Sequence, residues 1–228
     1  MALVICTWLW GRKYSARYVE RLYAGVRKHL KQPFRFLCMT ERERICNFST
    51  GIERHAIKDP ELTTIAGCFA RLRMFDPGWQ INRGIEDRVA CLDLDMVITG
   101  TLDPLFDRSE DLVVLQGANA SNPCPYNCSV MMLRKGAHPE LWSEFDVAGI
   151  RNIPCHQFPD DQGWIWHRVK DAAGWQVGKA SGIYAFGKPG WPNGENLPKD
   201  ARIVAFPGHR DPSAYTRLAW VREHWGDA

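Results

Sequence analysis

Apolar residues fall along this chain in two rhythms. Residues 2–9 (ALVICTWL) form a continuous apolar run and predict a buried strand. Gly11 ends it. From Tyr14 the spacing changes: Tyr14, Tyr18, Leu22, Val26 and Leu30 recur every fourth residue, joined by Val19 and Tyr23. That is one face of an amphipathic helix, with Arg17, Glu20, Arg21 and Arg27 elsewhere on it. Ser15 stands where a cap belongs, and Lys28, His29 and Lys31 suit the negative end of the helix dipole. Pro33 stops the helix, and residues 34–39 (FRFLCM) predict a second strand. Strand, helix and strand in close succession make a βαβ unit of a parallel sheet.

The same reading predicts strands over residues 52–57, 88–94, 111–116, 129–133 and 202–206. It predicts helices over 67–75, 139–146, 161–170 and 216–225, with Pro139 as a first helical residue. The helix over 67–75 ends before Asp76-Pro77-Gly78. Residues 187–198 (GKPGWPNGENLP) are dense in Gly and Pro and predict a loop. No internal repeat or low-complexity tract is visible. The expected fold class is α/β, less regular in its second half.

Composition narrows the function classes. At 228 residues the chain is expected to be one domain, with 45% hydrophobic and 24% charged residues, as in globular proteins. A net charge of +3 is too mild to point to nucleic acid. Of eight cysteines, Cys6, Cys38 and Cys91 sit inside apolar runs, as buried thiols of a reducing compartment do. Residues 1–10 are apolar but lack a basic leader and a small-residue cleavage site, and are too short to span a bilayer. The expected protein is soluble and cytoplasmic, without a transmembrane segment.

The sharpest chemical feature is Val89-Ala90-Cys91-Leu92-Asp93-Leu94-Asp95. An apolar strand runs into two carboxylates one residue apart, and strand geometry points such a pair to the same side. Ligands of open parallel sheets bind beyond the carboxyl ends of strands. Two carboxylates there suit a hard divalent cation, which in turn neutralises a diphosphate. An Asp-x-Asp also reads as a strand end followed by a turn. Two acids this close to a core repel each other unless a cation or hydrogen-bond donors compensate.

Residues 93–106 (DLDMVITGTLDPLF) resemble the Asp-x-Asp block of the GT-A glycosyltransferases, most nearly the family 8-like enzymes and their small bacterial relatives. Other matches follow in order. Thr7, Trp8, Leu9, Trp10 and Gly11 with Tyr14 resemble the opening strand and base-holding loop. Arg71 in FARLRMF matches a cation preceding the metal strand. Asn127 to Leu133 (NCSVMML) resembles an Asn-Ser-Gly-Val-Met block, with Cys128 where Ser is common. Asp161-Gln162 resembles an Asp-Gln pair, and Phe206-Pro207-Gly208 with Pro212 a late Phe-x-Gly…Pro signature.

The resemblance implies a Rossmann-like GT-A fold: a mostly parallel central sheet flanked by helices. Residues 1–106 would form the nucleotide half and 107–228 the sugar and acceptor half. It implies a metal-dependent enzyme, using Mn²⁺ or Mg²⁺. Such an enzyme moves a sugar from a nucleotide diphosphate sugar, typically a UDP-sugar, to a glycan, lipid-linked or protein acceptor. Retention of anomeric configuration follows from the family 8 likeness alone. Under it, Thr7, Trp8, Leu9, Tyr14, Arg71, Asp93, Leu94, Gly208 and His209 contact the donor. Asp93 and Asp95 hold the metal, Asn127 and Asp161 bond sugar hydroxyls, and Gln162 lies near the anomeric carbon. The family's usual third metal ligand, a His before the late Gly, is missing here. His209 follows that Gly instead and is the candidate replacement. If the reaction inverts, Asp160 or Asp161 is the candidate base.

The remaining residues have plainer readings. Cys124, Cys128, Cys155 and His156 have loose spacing for structural zinc, and no cysteine has an identifiable base beside it. Arg12, Lys13, Lys28 and Lys31 read as a solvated face before they read as phosphate ligands. The run Glu41-Arg42-Glu43-Arg44 reads as surface, and Asp103-Pro104 as a turn. Of ten tryptophans, Trp142, Trp175 and Trp220 read as core. Trp8, Trp10, Trp164, Trp166 and Trp191 lie near the proposed cleft segments, where stacking on bases and sugars competes with plain packing. A sugar nucleotidyltransferase of the same fold would need a Gly-rich basic signature, and Gly11-Arg12-Lys13 offers little of it. A non-catalytic nucleotide-sugar or glycan-binding protein remains the rival of another class, supported by the displaced histidine.

Overall fold

The computed structural model describes residues 2–42, 47–118, 123–153, 159–188, 190–192 and 194–226. Cys46, Cys155, His156, Glu43 and Arg44 lie outside the described residues. Strand β1 (Leu3–Leu9) is followed by helix α1 (Ala16–His29), β2 (Phe34–Thr40) and β3 (Ile52–Ala56), confirming the opening βαβ unit. Short helices α2 (Pro60–Thr64) and α3 (Pro77–Asn82) flank a 3-10 segment, Phe69–Phe75. Then come β4 (Arg88–Leu92), β5 (Met96–Ile98), α4 (Asp103–Phe106), β6 (Leu112–Gln116) and β7 (Tyr126–Arg134). The chain closes with α5 (Glu140–Ser143), α6 (Asp161–Arg168), β8 (Ala173–Gln176), β9 (Ile183–Ala185), β10 (Ile203–Ala205) and α7 (Ala219–Trp225).

Seven strands form the main sheet in the order β3-β2-β1-β4-β7-β6-β8. Neighbours are parallel from β3 to β4 and again between β6 and β8; β7 runs antiparallel to both of its neighbours. A second sheet, β5-β10-β9, crosses the chain's middle and end. This is a mostly parallel α/β sheet flanked by helices. Every residue of β1 is buried, because helix α1 covers one face and the 3-10 segment and α3 the other. Gly25 of α1 lets the helix lie on β5: a Cβ there would sit 2.9 Å from Ile98 Cβ.

Several elements depart from the sequence reading for local reasons. The predicted helix over 67–75 is a 3-10 turn from Phe69, because Gly67 and Cys68 adopt φ of +112° and +61°. Asp76-Pro77-Gly78 begins α3 instead of ending a helix: the Asp76 side chain accepts from the Gly78 N–H, and Pro77 opens the helix. Asp103-Pro104 likewise starts α4, with the Asp103 carboxylate accepting from the Lys31 and Gln32 N–H groups. Pro139 occupies a cap position, not the first helical one. Ser15 occupies the cap of α1 without a side-chain capping bond.

The tryptophans are absorbed largely by packing. Trp175 donates to the Leu105 carbonyl, Trp220 to that of Glu195 and Trp164 to that of Leu141. Trp8 is 6% exposed and stacks on Trp79 with centroids 6.2 Å apart. Trp191 joins Tyr184, Phe186, Phe206, Tyr215 and Trp220 in an aromatic cluster on the small sheet. Burial pushes the Cys68 and Cys91 thiols up to about 12 and Cys124 to about 11, which keeps them as thiols.

Candidate active site

Parallel strands β1 and β4 end side by side, and the chain beyond them carries the site. Strand β4 stops at Leu92, two residues short of the expected end at Leu94, so Asp93 and Asp95 both lie in the bend after it. Arg71, on the 3-10 segment, reaches up to this bend. Its Nε donates to Asp161 Oδ2 at 2.8 Å, and its Nη1 donates to Asp93 Oδ1 at 2.5 Å and to the Cys128 carbonyl at 3.0 Å. The arginine is 5% exposed and Asp161 is 2% exposed. A guanidinium fork fits this arrangement because it is planar and always charged. The two carboxylates in turn hold Arg71 protonated, while burial pushes Asp161 up to about 7 against the pull of Arg71.

Strand β7 supplies the other wall through an irregularity. Its register against β6 shifts between Val114, opposite Met131, and Leu115, opposite Asn127. The extra residues turn main-chain groups toward the bend. The Cys128 carbonyl meets Arg71, and the Ser129 carbonyl accepts from the Asp93 N–H at 3.0 Å. Asn127 Oδ1 accepts from the Ser129 N–H at 3.0 Å and so fixes that carbonyl. Cys128 acts here through its backbone, with its side chain buried, so the exchange for Ser leaves this contact intact.

Asp95 is tied to the first strand's loop. Tyr14 donates its hydroxyl to Asp95 Oδ2 at 2.6 Å, and Lys13 Nζ lies 3.6 Å from the same oxygen. Burial, and then the nearby charge of Asp93, push Asp95 up to about 6. Burial and the Asp95 carboxylate push the Tyr14 phenol up as well. Lys13 also lies over the Tyr14 ring, 4.6 Å from its centroid, while 59% of its side chain stays exposed. In the sequence it reads as one of several surface cations, and only the fold brings residue 13 to residue 95.

At the mouth of α6, Asp160 caps the helix by accepting from the Gly163 N–H at 2.7 Å. Gln162 Nε2 donates to Asp160 Oδ2 at 2.8 Å, and the Gln162 N–H donates to Asp161 Oδ1. The Asp161 N–H donates to the Gly67 carbonyl, which holds α6 against the 3-10 segment. The structure thus brings together Arg71, Asp93, Asp95, Tyr14, Asn127, Asp161 and Gln162. Other candidates turn away. Thr7 and Leu9 are fully buried, with the Thr7 hydroxyl donating to the Leu92 carbonyl, and Leu94 is 2% exposed within the core. Trp8 lies under Trp79. Gly208 turns the chain at φ +75°, and His209 after it is exposed. Among the described residues, no three His, Cys, Asp or Glu side chains are grouped to hold a metal. His209 is thus not grouped with Asp93 and Asp95 in this structure.

Solved structures share this arrangement of strands and helices. A galactosyltransferase LgtC in complex with donor and acceptor sugar analogues superposes with TM-score 0.60 at 11% identity, over 97% of this chain and 96% of that one. The apo form of the glycosyltransferase GlyE of Streptococcus pneumoniae TIGR4 gives TM-score 0.62 at 14% identity, over 98% of this chain and 63% of that one. This chain has the GT-A glycosyltransferase fold. An active-site mutant of LgtC gives the GT-A match again, with TM-score 0.60 at 12% identity over 92% and 89% of the two chains. No protein-family model and no curated sequence matches the chain. At these identities the likeness speaks for the GT-A fold. No helix of the described residues is long and apolar enough to cross a membrane.

Proposed function

We propose that this chain is a metal-dependent glycosyltransferase that moves a sugar from a nucleotide diphosphate sugar, of the UDP class, to a glycan, lipid-linked or protein acceptor. The observation that carries the reading is Arg71 bridging Asp93 and Asp161 beside the Tyr14–Asp95 pair, at the carboxyl ends of β1 and β4. Likeness of fold to LgtC and GlyE supports it. The acids fit a divalent cation: they are hard oxygen donors, and Asp95 is held up by burial and then by the repulsion of Asp93, which a cation relieves. Asp93 and Asp95 would hold Mn²⁺ or Mg²⁺, which when bound supplies positive charge to the leaving diphosphate.

The chain's own residues divide the remaining work. Arg71 is committed to two carboxylates and a carbonyl, so it positions Asp93 and Asp161 more than it meets the diphosphate directly. Lys13 is the exposed cation beside Asp95 and is placed to meet phosphate oxygens. Tyr14 orients Asp95 and offers its ring to the base. Gln162 and Asp161 sit on the sugar side. Asp160 is engaged as a helix cap and Asp161 is buried against Arg71, which leaves neither arranged as an inverting base and favours retention.

One observation favours a second reading, a nucleotide-sugar-binding protein without turnover: His209 stands apart from the acids. Incubation with a panel of nucleotide sugars and Mn²⁺ decides between them. Released nucleotide diphosphate that disappears in Asp95→Ala supports the transferase. Tight Mn²⁺-dependent binding with no release supports the binding protein, and neither result would remove both.

A further inference from the structure

A second pocket opens where β3 ends, on the face of the sheet away from helix α1. It has a volume of about 530 Å³ and is bounded by the segment after β3, the 3-10 segment and α3. Lys58, Arg73 and Arg83 line it against two carboxylates, Asp59 and Asp76, with Arg54, which has contacts of its own, at the edge. Both carboxylates are engaged by one of these cations: Arg73 Nε lies 3.4 Å from Asp59 and 3.6 Å from Asp76. Arg83 is left over. Among the described residues it has no carboxylate within ion-pair distance, and its Nε is buried without a hydrogen-bond partner. Its guanidinium lies on the Trp79 ring, 4.7 Å from the centroid.

The floor of the same pocket repeats the imbalance. Trp8 and Trp79, stacked on each other, are 6% and 4% exposed, and the indole N–H of each lacks an acceptor. An unpaired buried donor is costly, so native proteins rarely keep several together without a partner. Arginine and the indoles are donors with no acceptor capacity. The indole N–H groups are fully covered, so the groups open to a ligand are the rest of the Arg83 guanidinium and Lys58, and what suits them is an acceptor-rich group bearing negative charge. Burial and the Arg73 charge hold the Arg83 guanidinium below its ordinary pKa, which agrees with a local excess of positive charge.

We propose that this pocket binds a phosphate-bearing small molecule, with Arg83 as the principal anchor and Lys58 at the rim. A phosphomonoester has three acceptor oxygens and nearly two charges, which matches dispersed donors better than a single neutral group does. The cavity is larger than inorganic phosphate needs and admits a phosphorylated sugar. Arg73 is two residues from Arg71, so the 3-10 segment has the Asp93–Asp161 bridge and this pocket as its two charged neighbours.

Calorimetric titration of the full chain with glucose 6-phosphate, inorganic phosphate and glucose tests the proposal. Binding of glucose 6-phosphate, with glucose silent, is expected. Arg83→Ala should weaken it by about ten- to a hundredfold, the value of one charged hydrogen bond. Lys58→Ala, at an exposed position, should weaken it less and guards against a fold defect in the first variant. Stronger binding of the sugar phosphate than of inorganic phosphate assigns the pocket to a phosphorylated metabolite; equal binding assigns it to the phosphate group alone. Absence of binding by either, or binding unchanged in Arg83→Ala, overturns the proposal. Asp95→Ala should leave this binding intact, which separates its failure from failure of the transferase reading.

Discussion

Replacing Arg71 with methionine removes the charge between two carboxylates while keeping most of the side chain's bulk. Asp161, 2% exposed, then loses its only cationic ion-pair partner among the described residues. Breaking a buried ion pair from one side costs about 3–5 kcal/mol. The cost depends on pH, because the stranded carboxyl escapes by taking a proton. In the native chain burial already pushes Asp161 up to about 7, from an ordinary value of 3.8. A raised folded value makes its contribution to stability complete below about 4 and progressively lost up to about 7, with no further change above. Without Arg71 the folded value rises further, so the loss continues beyond pH 7 at up to about 1.4 kcal/mol per unit. Urea unfolding of both proteins at pH 5.5, 7 and 8.5 reads the difference. The variant's deficit is expected to grow by about 1–2 kcal/mol between the first and last of these values. Adding Asp161→Asn should return part of it at pH 8.5. A deficit independent of pH, or a double variant no better than Arg71→Met, would refute the bridge as described.

Other consequences are as direct. Because Asp95 is pushed up to about 6, Mn²⁺ competes with a proton below that value. Affinity, read by calorimetry with UDP present, should fall as pH drops below 6 and level off above it. His209→Ala should leave the Mn²⁺ dependence of donor binding unchanged; a marked loss would return His209 to the site. Gly67→Ala places a Cβ 2.4 Å from the Pro159 carbonyl at φ +112°, and should cost about 1–3 kcal/mol in urea unfolding while lowering donor turnover through Asp161. A fully stable and active Gly67→Ala would mean that the loop moves freely at that point.

Strand rhythm makes the opening βαβ unit legible, and the apolar run into Asp93 points to the bend where Arg71 gathers its carboxylates. Alternation and apolar runs report burial, and β1, β2 and β4 are buried strands with little else to decide their state. The three-residue strands β5 and β9 were beyond that reading, since they hold their place through β10 and not through a local pattern. The order of matches located Arg71 and Asp161, but not that they bind each other across ninety positions of chain. The slip of β7 against β6 depends on the partner strand, so nothing near Asn127 announces it. Lys13 was hidden for the same reason. The reading of residues 67–75 as a helix failed where two positive φ angles, set by packing against α6, override an otherwise helical composition.

Strand β7 belongs to the later half of the chain yet lies between β4 and β6, and β10 lies between β5 and β9. Each sheet is therefore stitched from early and late sequence. A break after residue 106 would leave the β4 edge and the β5 edge both unpaired, and would part Arg71 from Asp161. The first fragment would keep Lys13, Tyr14, Arg71, Asp93 and Asp95, and the second Asn127, Asp161 and Gln162, so neither would hold the whole cluster. During synthesis Asp93 and Asp95 follow their partners Arg71, Tyr14 and Lys13, but Arg71 waits for its second carboxylate until α6 has been made, so the charged centre is completed late. Mixing the two fragments and watching the bridge form would report on cooperativity in this fold more directly than unfolding the whole.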